Sequence, residues 1–225
     1  MAGHSFGGFI SGHYAAKYPH KIEHLLLLSP AGVGELKENE TGLERFEKRF
    51  AGSWKGRLAL RTMKYCWRKN ITPFAVARKF GRLSSTLFKG FVKRRFKANS
   101  MSKEEKNELA EYLYQCNMLK GSGEFGLMTA FKAGLWAHNC LKKMLTETEF
   151  DKPTTFVYGY EDWMDPADAY KIQEHLMERN IYCKIELVPE AGHHLYLDNP
   201  EGLLGAMMGV ILGDQDAPAH PAAMP

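Results

Sequence analysis

Gly3-His4-Ser5-Phe6-Gly7-Gly8 carries a G-x-S-x-G pattern at the very start of the chain. A serine framed this way sits on a sharp turn between a strand and a helix, its hydroxyl lifted clear of the backbone. Gly3 and Gly7 are expected to be glycine because a Cβ at either place would collide with neighbouring backbone. Such a turn ends a central strand, yet only Met1 and Ala2 precede the motif. The expectation is therefore a C-terminal two-thirds of an α/β domain, cut just before its nucleophile.

Outward from the turn the pattern alternates. Phe9, Ile10, Tyr14 and Ala15 recur at helical spacing between Phe6 and Tyr18, and Pro19 stops that helix. His24 to Ser29 reads as a buried parallel strand ended by Pro30-Ala31-Gly32. Helix followed by strand is what a right-handed crossover needs. Later come a strand at Thr154–Tyr158, a helix at Pro166–Arg179, a strand at Tyr182–Val188 and a helix at Pro200–Leu212. Residues 33–150 interrupt this order and read as mostly helical. Met101–Lys120 is the clearest helix there, with Ser102 as cap, Glu105 completing a capping box, and Leu109, Tyr112, Leu113 and Cys116 on one face. The tail from Gly213, rich in Ala and Pro, is expected to be disordered. The fold class is α/β: a mostly parallel sheet flanked by helices, built from 1–32 and 151–212, with a helical cap at 33–150.

The order of candidate catalytic groups fits acyl chemistry. A free serine hydroxyl is a weak nucleophile and needs a base beside it. That base needs a carboxylate to fix its tautomer and stabilise its cation. Ser5 is the nucleophile, and His193, directly after Gly192 in the doublet His193-His194, is the base. Two acids compete. Asp162 lies on the loop leaving the Thr154–Tyr158 strand. Asp165 stands immediately before Pro166, where a helix N-cap belongs, which favours Asp162. The Phe6 N–H, following the nucleophile, is one oxyanion donor; the second normally comes from a loop earlier in the chain. Four scattered cysteines, Cys66, Cys116, Cys140 and Cys183, read as free thiols, and neither metal nor cofactor is implied.

The run Gly3 to Phe9 with Lys17-Tyr18-Pro19 resembles the lipid-acting subgroup of α/β-hydrolases. That subgroup includes N-acyl-phosphatidylethanolamine lipase, the comparative-gene-identification lipase coactivator and fungal cardiolipin deacylases. Ser29-Pro30-Ala31-Gly32, Gly121 to Phe125, Gly134 to Asn139, Tyr158 to Asp165, and Gly192-His193 with Asp198 are similar to the group's other signatures. His138 departs from it, standing where an arginine is expected, and some members carry the acid at the offset of Asp165. The resemblance implies a Ser-His-Asp acyl hydrolase working through an acyl-enzyme on glycerophospholipids or lysophospholipids. It links the H-x-x-x-x-D element, His193 to Asp198, to acyl transfer onto lysophosphatidic acid. Asp198-Asn199-Pro200 is equally a good helix start. A non-catalytic regulator of a lipase, or an inactive fragment, is the alternative.

Charge supplies the last expectation. Between Ala51 and Ser100 there is no Asp or Glu, while Lys and Arg recur throughout, interleaved with Trp54, Trp67, Phe80, Phe88 and Phe91. No nucleic-acid module is recognisable. Cations facing headgroups with aromatics entering the interface fit an anionic membrane or lipid-droplet surface. The expected location is cytoplasmic and peripheral on membranes or lipid droplets, mitochondria included.

Overall fold

The computed structural model describes residues 1–36, 43, 47–48, 50, 52–96 and 101–212. The expected disordered tail, and residues 51 and 97–100 of the basic window, lie outside them. In chain order, β1 (Ala2–His4), α1 (Phe6–Lys17) and β2 (Leu25–Leu28) come first. The helices α2 (Trp54–Arg68), α3 (Pro73–Phe80), α4 (Ser84–Arg95), α5 (Lys103–Met118), α6 (Glu124–Ala130) and α7 (Leu141–Thr146) follow. Then come β3 (Thr154–Gly159), α8 (Ala167–Glu178), β4 (Cys183–Val188), α9 (Leu195–Asp198) and α10 (Pro200–Leu212). The chain divides into two compact units, Met1–Pro30 with Glu149–Pro225, and Ala31–Thr148.

The first unit is a parallel sheet in the order β1-β2-β3-β4. Leu25 to Leu28 are all buried, as only a strand covered on both faces allows. Leu26 and Leu28 pack with Val157 and Val188 against Leu203 and Ala206 of α10. Ile172 and Leu176 are the fully buried large residues of α8. Each such side chain contributes about 1.5–3 kcal/mol by leaving water. The parallel registers Leu28↔Val157 and Val157↔Glu186 bring the carboxyl ends of the strands to one edge of the sheet. Open parallel sheets place their ligand sites at that edge.

Two expectations about α1 need correction. Phe9 and Ala15 are buried, but Ile10 and Tyr14 are 54% and 36% exposed; Gly8 and Gly12 turn inward instead. The helix lies so close to the sheet backbone that any side chain at Gly8 would be crowded. A Cβ on Gly8 would come 3.0 Å from both the Gly3 carbonyl oxygen and the Pro30 Cβ. The same test separates the two motif glycines. A Cβ on Gly3 would meet the Gly7 carbonyl oxygen at 2.5 Å, whereas one on Gly7 would meet open space.

In the second unit α5 starts with the expected capping box, Glu105 N–H donating to Ser102 Oγ and Ser102 N–H to the Glu105 carboxylate. Its inward face is rotated from the expected one. Ala110 is buried and Tyr114 meets Phe88 of α4, while Tyr112 is 64% exposed. The pairing partner, not the apolar count, sets that face. Arg78 donates to both carboxylate oxygens of Glu124, and Thr72 donates to the same group. One reversal is not helical: Gly134 and Leu135, both at positive φ, bring Phe131 opposite Ala137 in an antiparallel bridge. Among the described residues no helix is long and apolar enough to cross a membrane.

Gly3→Ala is expected to destabilise the protein by about 1–3 kcal/mol, since the clash is with backbone that cannot move aside. Gly7→Ala should be neutral or stabilise by up to about 1 kcal/mol, because alanine favours the helix. Denaturant unfolding of the two variants separates these outcomes.

Candidate active site

Ser5 closes β1 with φ 53° and ψ −118° and immediately precedes α1. L-residues rarely adopt a positive φ, and the conformation holds only where surrounding bonds enforce it. Two do so here: Ser5 N–H donates to the Leu28 carbonyl at 2.9 Å, and Phe9 N–H donates to the Ser5 carbonyl at 3.1 Å. Phe6 takes the first position of α1. The first N–H groups of a helix point out of its N-terminus, where the dipole adds partial positive charge.

His193 comes from the loop after β4. Its Nε2 lies 2.9 Å from Ser5 Oγ, and its Nδ1 lies 3.2 and 3.3 Å from the two oxygens of Asp162. A carboxylate only accepts, so Nδ1 carries the proton and Nε2 is left to accept from the serine hydroxyl. The His193 side chain is 8% exposed and that of Asp162 1%. The Trp163 ring lies against the imidazole, centroids 5.2 Å apart.

Asp162 leaves the carboxyl end of β3 on a loop bonded to the His193 loop. Tyr160 N–H donates to Val188 and Glu161 N–H to Ala191, both at 2.9 Å. Gly159 sits so close to Ala191 and Gly192 that a side chain would strike their backbone. Burial alone would raise the Asp162 pKa. Hydrogen bonds from His193 and the Met164 N–H, with the nearby Ser29 hydroxyl, outweigh burial and bring it below the usual carboxylate value. Ser29 is fully buried at the end of β2; its geometry falls short of a well-formed hydrogen bond, yet its dipole favours the ionised acid.

The other candidates fall elsewhere. Asp165 Oδ1 accepts the Ala167 N–H at 2.9 Å, closing the first turn of α8, as expected of a cap. His194 offers its backbone carbonyl to Leu197 and Asp198 at the start of α9. Asp198 Oδ2 accepts the Gly192 N–H at 3.0 Å, and Asn199, not Asp198, caps α10 through Gly202 N–H at 2.9 Å. One contact had no sequence expectation behind it: His4 Nε2 lies 2.7 Å from the His193 carbonyl oxygen. Among the described residues no cluster of His, Cys, Asp and Glu is arranged to hold a metal.

Comparison with known proteins gives the site its setting. The family model described as alpha/beta hydrolase fold matches residues 1–200. A 1-acylglycerol-3-phosphate O-acyltransferase of Arabidopsis thaliana is 32% identical over 212 residues, covering 92% of this chain and 48% of that protein. A (lyso)-N-acylphosphatidylethanolamine lipase of Homo sapiens is 30% identical over 204 residues, covering 89% of this chain and 54% of that protein. The chain thus spans about half the length of the curated relatives it matches. Among solved structures, a bacterial membrane phospholipase A is similar with a TM-score of 0.57 at 18% identity, covering 96% of this chain and 57% of that one.

The lowered Asp162 pKa fixes a pH dependence of stability. A carboxyl that ionises more readily when folded contributes stability fully above its unfolded pKa, about 3.9. That stability is lost as pH falls through the lower folded value. Thermal melts should therefore fall as pH drops below about 4. Asp162→Asn should melt lower than the parent at neutral pH and show a shallower acid slope.

Proposed function

Starting from a chain that belongs to the α/β-hydrolase fold family, we propose that it is a serine acyl hydrolase or acyltransferase acting on glycerophospholipids or lysophospholipids. Ser5 is the nucleophile, His193 the general base and Asp162 the orienting acid. The single observation that carries this reading is the continuous hydrogen-bonded line from Ser5 Oγ through the imidazole to the Asp162 carboxylate.

In this reaction His193 Nε2 takes the hydroxyl proton as Ser5 Oγ attacks the ester carbonyl. The Phe6 N–H at the helix start stabilises the oxyanion, and the buried Asp162 stabilises the imidazolium. Collapse breaks the ester bond, and the imidazolium returns its proton to the departing alkoxide, leaving an acyl-serine. Water, or the hydroxyl of a lysolipid, then attacks the acyl-serine with the same base accepting its proton. A free acid or a new ester leaves and Ser5 is restored. The phospholipid class of substrate is supported by the names of the relatives, an acyltransferase on acylglycerol phosphate and a lipase on acylated phosphatidylethanolamine.

The partner surface is an anionic bilayer, met by the second unit. Leu83, Leu87 and Phe91 recur every four residues from the N-cap of α4 and are 76%, 57% and 45% exposed, and Phe80, which ends α3, is 55% exposed. Exposed Lys93 and Arg94 stand beside Phe91 in the last turn of α4, within the stretch that lacks any acid. An open apolar groove of about 730 Å³ between α2 and the start of α3, lined by Trp54, Leu58, Met63, Trp67 and Val76, extends the apolar character of this unit. Exposed apolar groups beside exposed cations suit the boundary between headgroups and acyl chains.

Ser5→Ala should lower release of fatty acid from lysophospholipid vesicles by at least ~10³-fold, with its melting temperature little changed. Undiminished turnover would refute the nucleophile assignment. Lys93→Glu with Arg94→Glu should weaken flotation with phosphatidylserine vesicles at least about tenfold, at roughly 1 kcal/mol per basic residue near the surface. Turnover of a water-soluble short-chain ester should be unaffected. Unchanged flotation would refute the surface.

A further inference from the structure

Within the proposed acyl chemistry, the imidazole of His193 is only as well placed as the loop that carries it. Residues 189–194 of that loop form no helix or strand. Gly192, the most permissive residue type, directly precedes the base. The two backbone groups that flank the Gly192–His193 segment are each taken by a side chain from outside it. Gly192 N–H donates to Asp198 Oδ2 at 3.0 Å, and the His193 carbonyl accepts from His4 Nε2 at 2.7 Å. A carbonyl cannot donate, so His4 is the tautomer that carries its proton on Nε2.

We propose that His4 and Asp198 are positioning residues that clamp the base from both ends, and that the H-x-x-x-x-D spacing acts through this clamp rather than through any chemistry peculiar to acyl transfer. His4 adjoins the nucleophile, so two bonds join the same two segments: His4 to the His193 backbone and Ser5 to the His193 ring. Together they fix how far the base loop stands from the elbow. Asp198 in turn ties the loop to α9, whose start is held by Leu197 and Asp198 N–H groups bonded to the His194 carbonyl. Asn199 closes the same loop further back, its side-chain amide donating to the Pro189 carbonyl at 2.9 Å. The Asp198 carboxylate accepts from this loop amide, not from a reacting atom. Its effect must therefore be the same whether water or a lysolipid hydroxyl resolves the acyl-serine.

The test compares Asp198→Ala with Asp198→Asn, and His4→Phe with His4→Gln, in the intact protein. Each variant is assayed for hydrolysis of a lysophospholipid and for acyl transfer to lysophosphatidic acid. The final extent of fluorophosphonate labelling counts competent sites, so that rates are per folded molecule. Displacing a catalytic group by about 1 Å costs on the order of 10²-fold. Asp198→Ala and His4→Phe should therefore lower kcat about 10- to 100-fold for both acceptors with KM unchanged. Asp198→Asn, which keeps an acceptor, and His4→Gln, which keeps a donor, should restore most of the rate. Selective loss of transfer in Asp198→Asn, with hydrolysis intact, would overturn the proposal by giving the charge its own role in transfer. Unchanged kcat in both Asp198→Ala and His4→Phe would overturn it as well. Failure of Ser5 labelling in the parent protein, by contrast, would remove the acyl-enzyme reading itself.

Discussion

Ser5 is held in a backbone conformation that an L-residue enters only under constraint, and the site is organised around that one residue. Its φ of 53° turns the chain from β1 into α1 within a single position. Such a conformation costs of order 1–3 kcal/mol. The cost is offset by the Ser5 bond to Leu28 and by the close seating of Gly3 and Gly8. The strained turn puts the hydroxyl beside a helix N-terminus. The burial of Leu25 to Leu28 matters to the site because β2 supplies the carbonyl that holds Ser5 in place.

The parallel sheet solves the remaining problem, which is to bring together residues far apart in sequence. Ser5 follows β1, Asp162 follows β3 and His193 follows β4, so all three leave strands at the same edge. The loops that carry the acid and the base are also bonded to each other, through Glu161 and Ala191, before either reaches the serine. Burial then has opposite effects on the members of the line. It would disfavour the ionised Asp162 taken alone, yet the hydrogen bonds gathered on that carboxylate keep it charged. The result is an anion inside a buried site, where its influence on an imidazolium is strengthened.

Much of this was legible in the residues themselves. The G-x-S-x-G turn, the leucine run of β2 and the alternation after residue 150 are short-range patterns that physics reads directly. Asp162 could be preferred to Asp165 because Pro166 marked a helix start, and Asp165 does bond to the first turn of α8. What escaped depends on partners remote in sequence. The inward face of α5 differs from the expected one because Tyr114 meets Phe88 of α4, a partner that periodicity along one helix does not contain. The tight packing expected at Gly3 and Gly7 falls instead at Gly3 and Gly8, since closeness across a crossover cannot be seen along the chain. The His4 contact with the His193 carbonyl spans nearly the whole chain, and nothing local announced it.

The account stands on the claim that the imidazole of His193 activates the hydroxyl of Ser5. Treating the protein with an alkyl fluorophosphonate and locating the adduct by peptide mass spectrometry tests this most directly. The expected result is a single phosphonylated residue at Ser5, formed rapidly in the parent and lost in His193→Gln. An adduct on any other residue, or labelling of Ser5 at the same rate without His193, would contradict it.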